Sequence, residues 1–405
     1  MRIDLKEISF ENKIVVKKQS FEMTDMTMIT GKSGAGKTQI LKQIAEKCDF
    51  GYVSQDPDNQ IVCDTVWHEM AFGLENIGLN TSLIRARVAE ISTYLGISGW
   101  INKDVTELSG GQKQKLCLAA VLCMLPEVIL LDEPTSMLDP ISAREFWGVV
   151  ERLNKERNIS FLIVAHEDAC ADKLCNKFYR LSEGLLHEYS YMNKQVVTVQ
   201  EKKSTIIHEL KSIRKSYDNN LVLNIPNLKI CKGINCWIGP NGVGKSTLLK
   251  VITGAFKEKR MVKNSVLMPQ DVKIMFSRDY VRKEVERFTD EVPDIIKPLM
   301  DKHPFDLSGG EQHILGVYLT LLRNAELTCF DEPTKGMDSE TKEQIMKMIK
   351  ESGKDCIIVT HDLDLVAEYA DYVVLLFNRD IASEGTAKEV IGDNIFWKAE
   401  GVRFA

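Results

Sequence analysis

The sequence predicts an α/β protein made of two like domains in one chain, each a mixed sheet with flanking helices plus a helical subdomain. Three observations carry this expectation. The 405 residues exceed what one ordinary core holds and suit two domains. The apolar runs Val128-Ile129-Leu130-Leu131 and Leu327 to Phe330 read as strands buried on both faces of a parallel sheet. A set of short motifs also occurs twice, in the same order and about one domain length apart.

The elements follow in chain order. Ile3-Asp4-Leu5 begins a strand pattern that Thr205-Ile206-Ile207 restarts. The spacing places strands at 26–30 and 234–238, each followed by a glycine-rich loop and then by a helix, at 38–47 and 246–253. The loops are Gly31-Lys32-Ser33-Gly34-Ala35-Gly36-Lys37-Thr38 and Gly239-Pro240-Asn241-Gly242-Val243-Gly244-Lys245-Ser246. The first half carries a longer insert before its next motif, 56–107, in which Val66, Met70, Leu74, Ile84, Val88, Ile91 and Leu95 recur at helical spacing. Domain bounds of 1–191 and 205–405 follow, with a short polar linker at 192–204.

Composition narrows the function. With 44% hydrophobic and 27% charged residues the chain has a globular composition. A net charge of −6 supplies no broad basic field, and no nucleic-acid partner is expected. The longest near-apolar stretch, Leu116 to Leu131, is broken by Pro126-Glu127 and is shorter than the ~20 residues of a membrane span. The N-terminus lacks the apolar core of a secretory signal, so a cytoplasmic location is expected. The ten cysteines form no C-x-x-C pair and are expected to be reduced packing residues.

Both loops fit G-x-x-x-x-G-K-[ST], whose backbone N–H groups and following helix N-terminus cradle phosphate. Gly31, Ser33, Gly34, Gly36, Gly239, Asn241, Gly242, Gly244 and Thr247 would line the cradles. Lys37 and Lys245 would reach the β- and γ-phosphates, and Thr38 and Ser246 would bind Mg²⁺. The two apolar strands each end in Asp-Glu. Asp132 and Asp331 would hold Mg²⁺ through its waters, and Glu133 and Glu332 would act as general bases on an attacking water. ATP and Mg²⁺ are the cofactors implied.

Two more pairs complete the repeat: Leu108-Ser109-Gly110-Gly111-Gln112 with Leu307-Ser308-Gly309-Gly310-Glu311, and Ile163-Val164-Ala165-His166 with Ile358-Val359-Thr360-His361. Together these motifs resemble the nucleotide-binding domains of ABC ATPases, twice over nearly the whole chain. The resemblance implies that Gln55 and Gln270 touch Mg²⁺ or the lytic water, and that His166 and His361 contact the γ-phosphate. It also implies that Asp139 and Asp338 lie in a loop crossing the interface of a head-to-tail domain pair. Each ATP would then lie between the lysine loop of one half and Ser109-Gly110-Gly111 or Ser308-Gly309-Gly310 of the other, Lys37 facing Ser308 and Lys245 facing Ser109. Tyr217 suits the adenine-stacking aromatic in half two, where half one offers Phe10 or nothing. Lys115 and His313-Ile314 stand where the family commonly has Arg.

Gln55-Asp56-Pro57-Asp58-Asn59-Gln60 and Ala71-Phe72-Gly73-Leu74-Glu75-Asn76 are similar to the corresponding block of energy-coupling factor (ECF) transporter ATPases. This implies an ATP-hydrolysing subunit of an importer for a vitamin or a transition-metal ion, peripheral on the cytoplasmic face of the cell membrane. Its partners would be a membrane coupling protein and a membrane substrate-binding protein, with one chain per transporter. The surface gripping the coupling protein is expected at Gln60, Ile61, Val62 and the face carrying Trp67, Met70 and Ala71. The alternatives are the ATPase of an ABC exporter or a ribosome-associated tandem ABC ATPase.

Overall fold

The computed structural model describes residues 1–10, 13–32, 34–46, 50–136, 138–165, 169–190, 205–217, 220–255 and 260–392. The chain divides into two compact units, Met1–Asn193 and Lys194–Ala405. The linker expected at 192–204 lies outside the described residues.

Each unit is organised by a six-stranded sheet with one and the same strand order. In the first unit the order is Leu185–Tyr189, Lys177–Ser182, Met26–Gly31, Ser160–Val164, Val128–Asp132 and Gly51–Val53. All pairings are parallel except the edge hairpin of the first two. The second unit repeats it with Asp380–Gly385, Tyr372–Phe377, Ile234–Ile238, Cys356–Val359, Leu327–Asp331 and Ser265–Met268. Val128–Asp132, Ile234–Ile238 and Leu327–Asp331 are buried at every residue, as parallel strands covered on both faces must be.

Two apolar cores flank each sheet. In the first unit one is closed by Ile40, Leu41 and Ile44 of the helix Lys37–Ala45. The other runs without a break from Ile129 and Phe161 through Leu116 and Leu118 into Met70, Leu74, Ile84 and Val88. The helical subdomain is therefore an extension of the sheet's own core. Its helices are Val66–Asn76 and Thr81–Tyr94. Thr65 and Asn80 cap their N-termini by accepting the backbone N–H groups of His68 and Leu83, which divides the single periodic stretch at the Gly78 turn. In the second unit the same place holds one short helix, Val281–Val285, among single 3₁₀ turns.

Cys117, Cys123, Cys231, Cys236, Cys329 and Cys356 are buried and free. Burial pushes the thiols of Cys117, Cys123 and Cys356 up to about 12, so these side chains act as small hydrophobes.

Leu130 is fully buried in the strand Val128–Asp132, where neighbours cannot collapse onto a void. Leu130→Ala is expected to destabilise the first unit by about 2–5 kcal/mol, read as a shift of its unfolding transition to lower urea.

Candidate functional site

The phosphate loops are shaped by glycines at positive φ. Gly36 and Gly244 precede the helices Lys37–Ala45 and Lys245–Thr253 with φ of +99° and +105°. A Cβ there would lie 2.5 Å from Val15 Cγ1 and 2.7 Å from Leu223 Cδ2. Gly34 and Gly242, by contrast, open onto space, since a Cβ would meet nothing within 4 Å. Each loop therefore closes on one side against an antiparallel pair of its own unit, Ile8–Phe10 with Lys13–Val16 or Ile206–Tyr217 with Asn220–Cys231, and opens on the other. Both lysines are buried. Lys37 Nζ donates to the carbonyls of Gly31 at 2.8 Å and Lys32 at 3.1 Å. Lys245 Nζ donates to those of Gly239 at 2.7 Å and Pro240 at 2.9 Å. Gly31 and Gly239 thus hold the lysines at the loop mouth. Asn241 is exposed and Thr247 half-buried on the first helical turn; Ser33 lies outside the described residues.

The Asp-Glu pairs arrive from the neighbouring strands. Thr38 Oγ1 donates to Asp132 Oδ1 at 3.2 Å, and Ser246 Oγ to Asp331 Oδ1 at 3.0 Å. Burial pushes both carboxyls above the usual carboxylate range, against the hydrogen bonds that favour ionisation. Hydroxyl and carboxylate are hard oxygen donors suited to Mg²⁺. No group of three or more His, Cys, Asp or Glu able to hold a metal occurs among the described residues, so Mg²⁺ here would complete its shell with water and phosphate oxygens. Thr38 with Asp132 and Ser246 with Asp331 would hold the ion, which would supply positive charge to offset that developing on the phosphates.

Glu133 and Glu332 adopt φ of +44° and +54°, a left-handed conformation that costs a non-glycine residue about 1–3 kcal/mol. Their N–H groups are fixed by the carbonyls of Val164 at 2.7 Å and Val359 at 3.0 Å on the adjacent strand. In the first unit the Glu133 side chain lies beside the loop lysine, with Oε1 3.7 Å from Lys37 Nζ. Gln55 Nε2 donates to Glu133 Oε2 at 3.1 Å. In the second unit the partner is His361, whose Nε2 lies 2.9 Å from Glu332 Oε1, while Gln270 is exposed. His166 lies outside the described residues. A carboxylate poised beside a phosphate cradle, with an amide or imidazole to orient it, can take a proton from water attacking a phosphoryl group.

Ser109 and Ser308 are helix N-caps. Their hydroxyls accept the N–H of Gln112 at 3.4 Å and Glu311 at 3.3 Å, and those side chains accept the serine N–H groups in return at 2.9 Å and 2.8 Å. The capping box explains the fifth motif position, a role legible as S-x-x-[EQ] that the motif reading passed over. Each serine still has a hydroxyl proton to donate. A Cβ at Gly110 or Gly309 would meet nothing, whereas Gly111 and Gly310 back onto Ser142 and Thr341. Asp139 and Asp338 cap the next helices by accepting the N–H of Ser142 and Thr341.

Sequence reasoning missed a tether behind Gln55 and Gln270. Buried Glu69 accepts the backbone N–H groups of Val62 at 3.0 Å and Cys63 at 2.9 Å through Oε2. Buried Glu284 accepts those of Ser277 and, at 2.8 Å, Arg278 through Oε1. The acid follows its partners at the same spacing in both halves, the one signal that marks it in otherwise dissimilar segments. Also missed was Tyr52, whose Oη donates to Asp132 Oδ2 at 3.0 Å. Burial and that carboxylate push the phenol above its ordinary value, so it remains a donor.

One expectation is corrected. Met70 and Ala71 are buried at 1% and 0% exposure and Trp67 packs partly against the core, so that face is interior. Val62 at 65% and Phe72 at 44% are the exposed apolar groups there. Gln60 is turned inward, accepting from Ser54 N and donating to the Tyr52 carbonyl, and Ile61 is half-buried. Tyr217 is exposed, with Lys215 Nζ 4.9 Å from its ring centroid; the Phe10 side chain is outside the described residues. Lys115 Nζ sits 5.9 Å from the Trp100 ring centroid.

A family model described as ABC transporter matches residues 18–136 and 223–335, more than half of the chain. The chain is 29% identical to an ABC transporter ATP-binding protein of Bacillus thuringiensis, over 95% of this chain and 91% of that protein. It is also 29% identical to a Bacillus subtilis ATP-binding protein named for HMP/thiamine import, over 84% and 77%. The fold is similar to that of the archaeal ribosome recycling factor aABCE1 solved with the stalk protein aP1, with TM-score 0.69 at 18% identity over 87% of this chain and 83% of that one. That last likeness shows the fold alone. With two sets of nucleotide-site motifs on two like units, the chain belongs to the ABC transporter family and is a tandem ATP-binding protein with ATPase activity.

Proposed function

We propose that this chain is the energy-coupling subunit of an ECF-type importer of a vitamin or transition-metal ion, docked under a membrane coupling protein that works with a membrane substrate-binding protein. The observation that carries this reading is the apolar surface beside the loop after Gln55. Val62 and Phe72 are exposed there, and the backbone of Val62 is bonded to Glu69 on the helix that carries Phe72. A partner seated on these residues would be joined mechanically to the glutamine that touches Glu133. The Bacillus subtilis relative named for HMP/thiamine import supports import as the direction. Among the described residues no helix is long and apolar enough to cross a membrane, so this reading assigns passage through the bilayer to the partners, with the chain peripheral on the cytoplasmic face.

Within this reading Glu133 and Glu332 are the general bases, oriented by Gln55 and His361. Lys37 and Lys245 grip the β- and γ-phosphates, and Thr38 with Asp132 and Ser246 with Asp331 hold Mg²⁺. The family pattern would complete each site with the other half's capped serine, Ser308 for Lys37 and Ser109 for Lys245. The hydroxyl proton left by the capping box, and the N–H groups of the helix it starts, suit a γ-phosphate oxygen.

The double variant Glu133→Gln/Glu332→Gln is expected to bind ATP normally while turnover falls by about 10² or more, measured by phosphate release and equilibrium binding. If the sites are shared between halves, Lys37→Ala and Ser308→Arg damage one site, and their double variant should hydrolyse ATP little more slowly than either alone; Lys37→Ala with Ser109→Arg should lose both. Val62→Glu is expected to abolish membrane association and uptake while the purified chain keeps its ATPase rate. Recovery of the tagged wild-type chain with ribosomes and without a membrane protein would defeat the importer reading.

A further inference from the structure

The two metal-holding carboxylates are not supported alike. In the first unit Asp132 is held at both oxygens, by Thr38 on Oδ1 at 3.2 Å and by Tyr52 on Oδ2 at 3.0 Å. In the second unit Ser246 holds Oδ1 of Asp331 at 3.0 Å, and among the described residues no phenol takes the other side. The strand ladders make the comparison position by position. Tyr52 pairs with Leu130, two residues before Asp132, and Leu267 pairs with Cys329, two residues before Asp331. Leu267, which has no hydroxyl, therefore occupies the place of Tyr52. Both side chains are half-buried, so either position admits a ring.

We propose that Tyr52 is a positioning residue that fixes the Asp132 carboxylate for Mg²⁺, giving the first nucleotide site a higher Mg²⁺ affinity than the second. The proposal rests on the assignment of Thr38 and Asp132 to Mg²⁺ made above. The physical ground is the soft terminal torsion of an aspartate, which a single donor on one oxygen leaves free to swing. A second donor on the far oxygen removes that freedom while leaving the Thr38 side turned to the metal. Outer partners that orient a ligand in this way typically change metal affinity about 10–100-fold. Because Asp132 would act through metal-bound water, the lower end of that range applies.

The test reads binding without turnover. In full-length protein carrying Lys245→Ala, which leaves the first site to report, equilibrium binding of ATP is followed while MgCl₂ is titrated from an EDTA baseline. Tyr52→Phe is expected to raise the Mg²⁺ midpoint about tenfold and to leave ATP affinity in EDTA unchanged. In the Lys37→Ala background, the second site should begin with the higher midpoint, and Leu267→Tyr should lower it. A midpoint unmoved or lowered by Tyr52→Phe would overturn the proposal. So would an equal loss of affinity in EDTA, which marks a phenol that only shapes the loop. Should Tyr52→Phe fail to fold, Leu267→Tyr decides alone, and an unchanged second-site midpoint overturns the idea. ATP binding by the parent proteins that ignores Mg²⁺ altogether would refute the metal assignment itself.

Discussion

A strand buried on both faces can carry charged side chains only at its end, and in this protein that end is where two carboxylates are needed. Val128–Asp132 and Leu327–Asp331 stay apolar through four and three residues of interior, interrupted in the second only by Thr328. Each then delivers an aspartate against the first hydroxyl of a helix. The next residue must leave the sheet at once, because a charged side chain continuing the pleat would enter the core. Both glutamates therefore turn through positive φ, held by one backbone hydrogen bond from the neighbouring strand. The lysine loop, the capped serine helix and the glutamine loop all find their places relative to this strand end.

Among the described residues each half gives its strained glutamate a polar partner. Glu133 is met by Gln55, which accounts for the inward set of the first unit's loop, whereas Glu332 is met by His361. Since each partner orients one carboxylate oxygen, either arrangement can present the other oxygen to water. The loop that carries Gln55 is stiffened by Gln60, which bonds at once to Ser54 N and the Tyr52 carbonyl, and by Gln114, which donates to the Ser54 carbonyl. The corresponding Gln270 is exposed. Duplication has preserved the chemistry of the strand ends and let the surroundings diverge.

What could be read from the sequence was what backbone geometry imposes on residue choice. The phosphate loops were legible because their glycines answer to positive φ and to close approach by Val15 and Leu223, and the strands ending in Asp132 and Asp331 because burial on two faces leaves no polar alternation. The buried pairing of Glu69 and Glu284 with loop N–H groups was not legible from one half, since an acid on an amphipathic helix ordinarily faces water. The surface expected at Met70 and Ala71 failed for a related reason. Helical spacing identifies an apolar face but not what covers it, and here the helix Gly110–Cys123 does: its Leu116 and Leu118 belong to the same core, and Met124 just beyond it lies against Gly73.

The tether formed by Glu69 also decides how motion can pass through the first unit. Two backbone N–H groups bound to one buried carboxylate oxygen make the end of the loop and the first turn of Val66–Asn76 a single body. At the other end, Gln55 is bonded to the strained glutamate. Between these fixed points lies one short turn, Pro57–Asn59, capped by Asp56 and tied to the serine helix by the ion pair of Lys113 with Asp58 at 2.5 Å. A displacement of Glu133 therefore has no slack segment in which to dissipate, and it must reach Val62 and the helix together. The second unit keeps the carboxylate tether at Glu284 but sets an exposed Gln270 at the other end. The tight mechanical path thus belongs to the half with the longer helical subdomain.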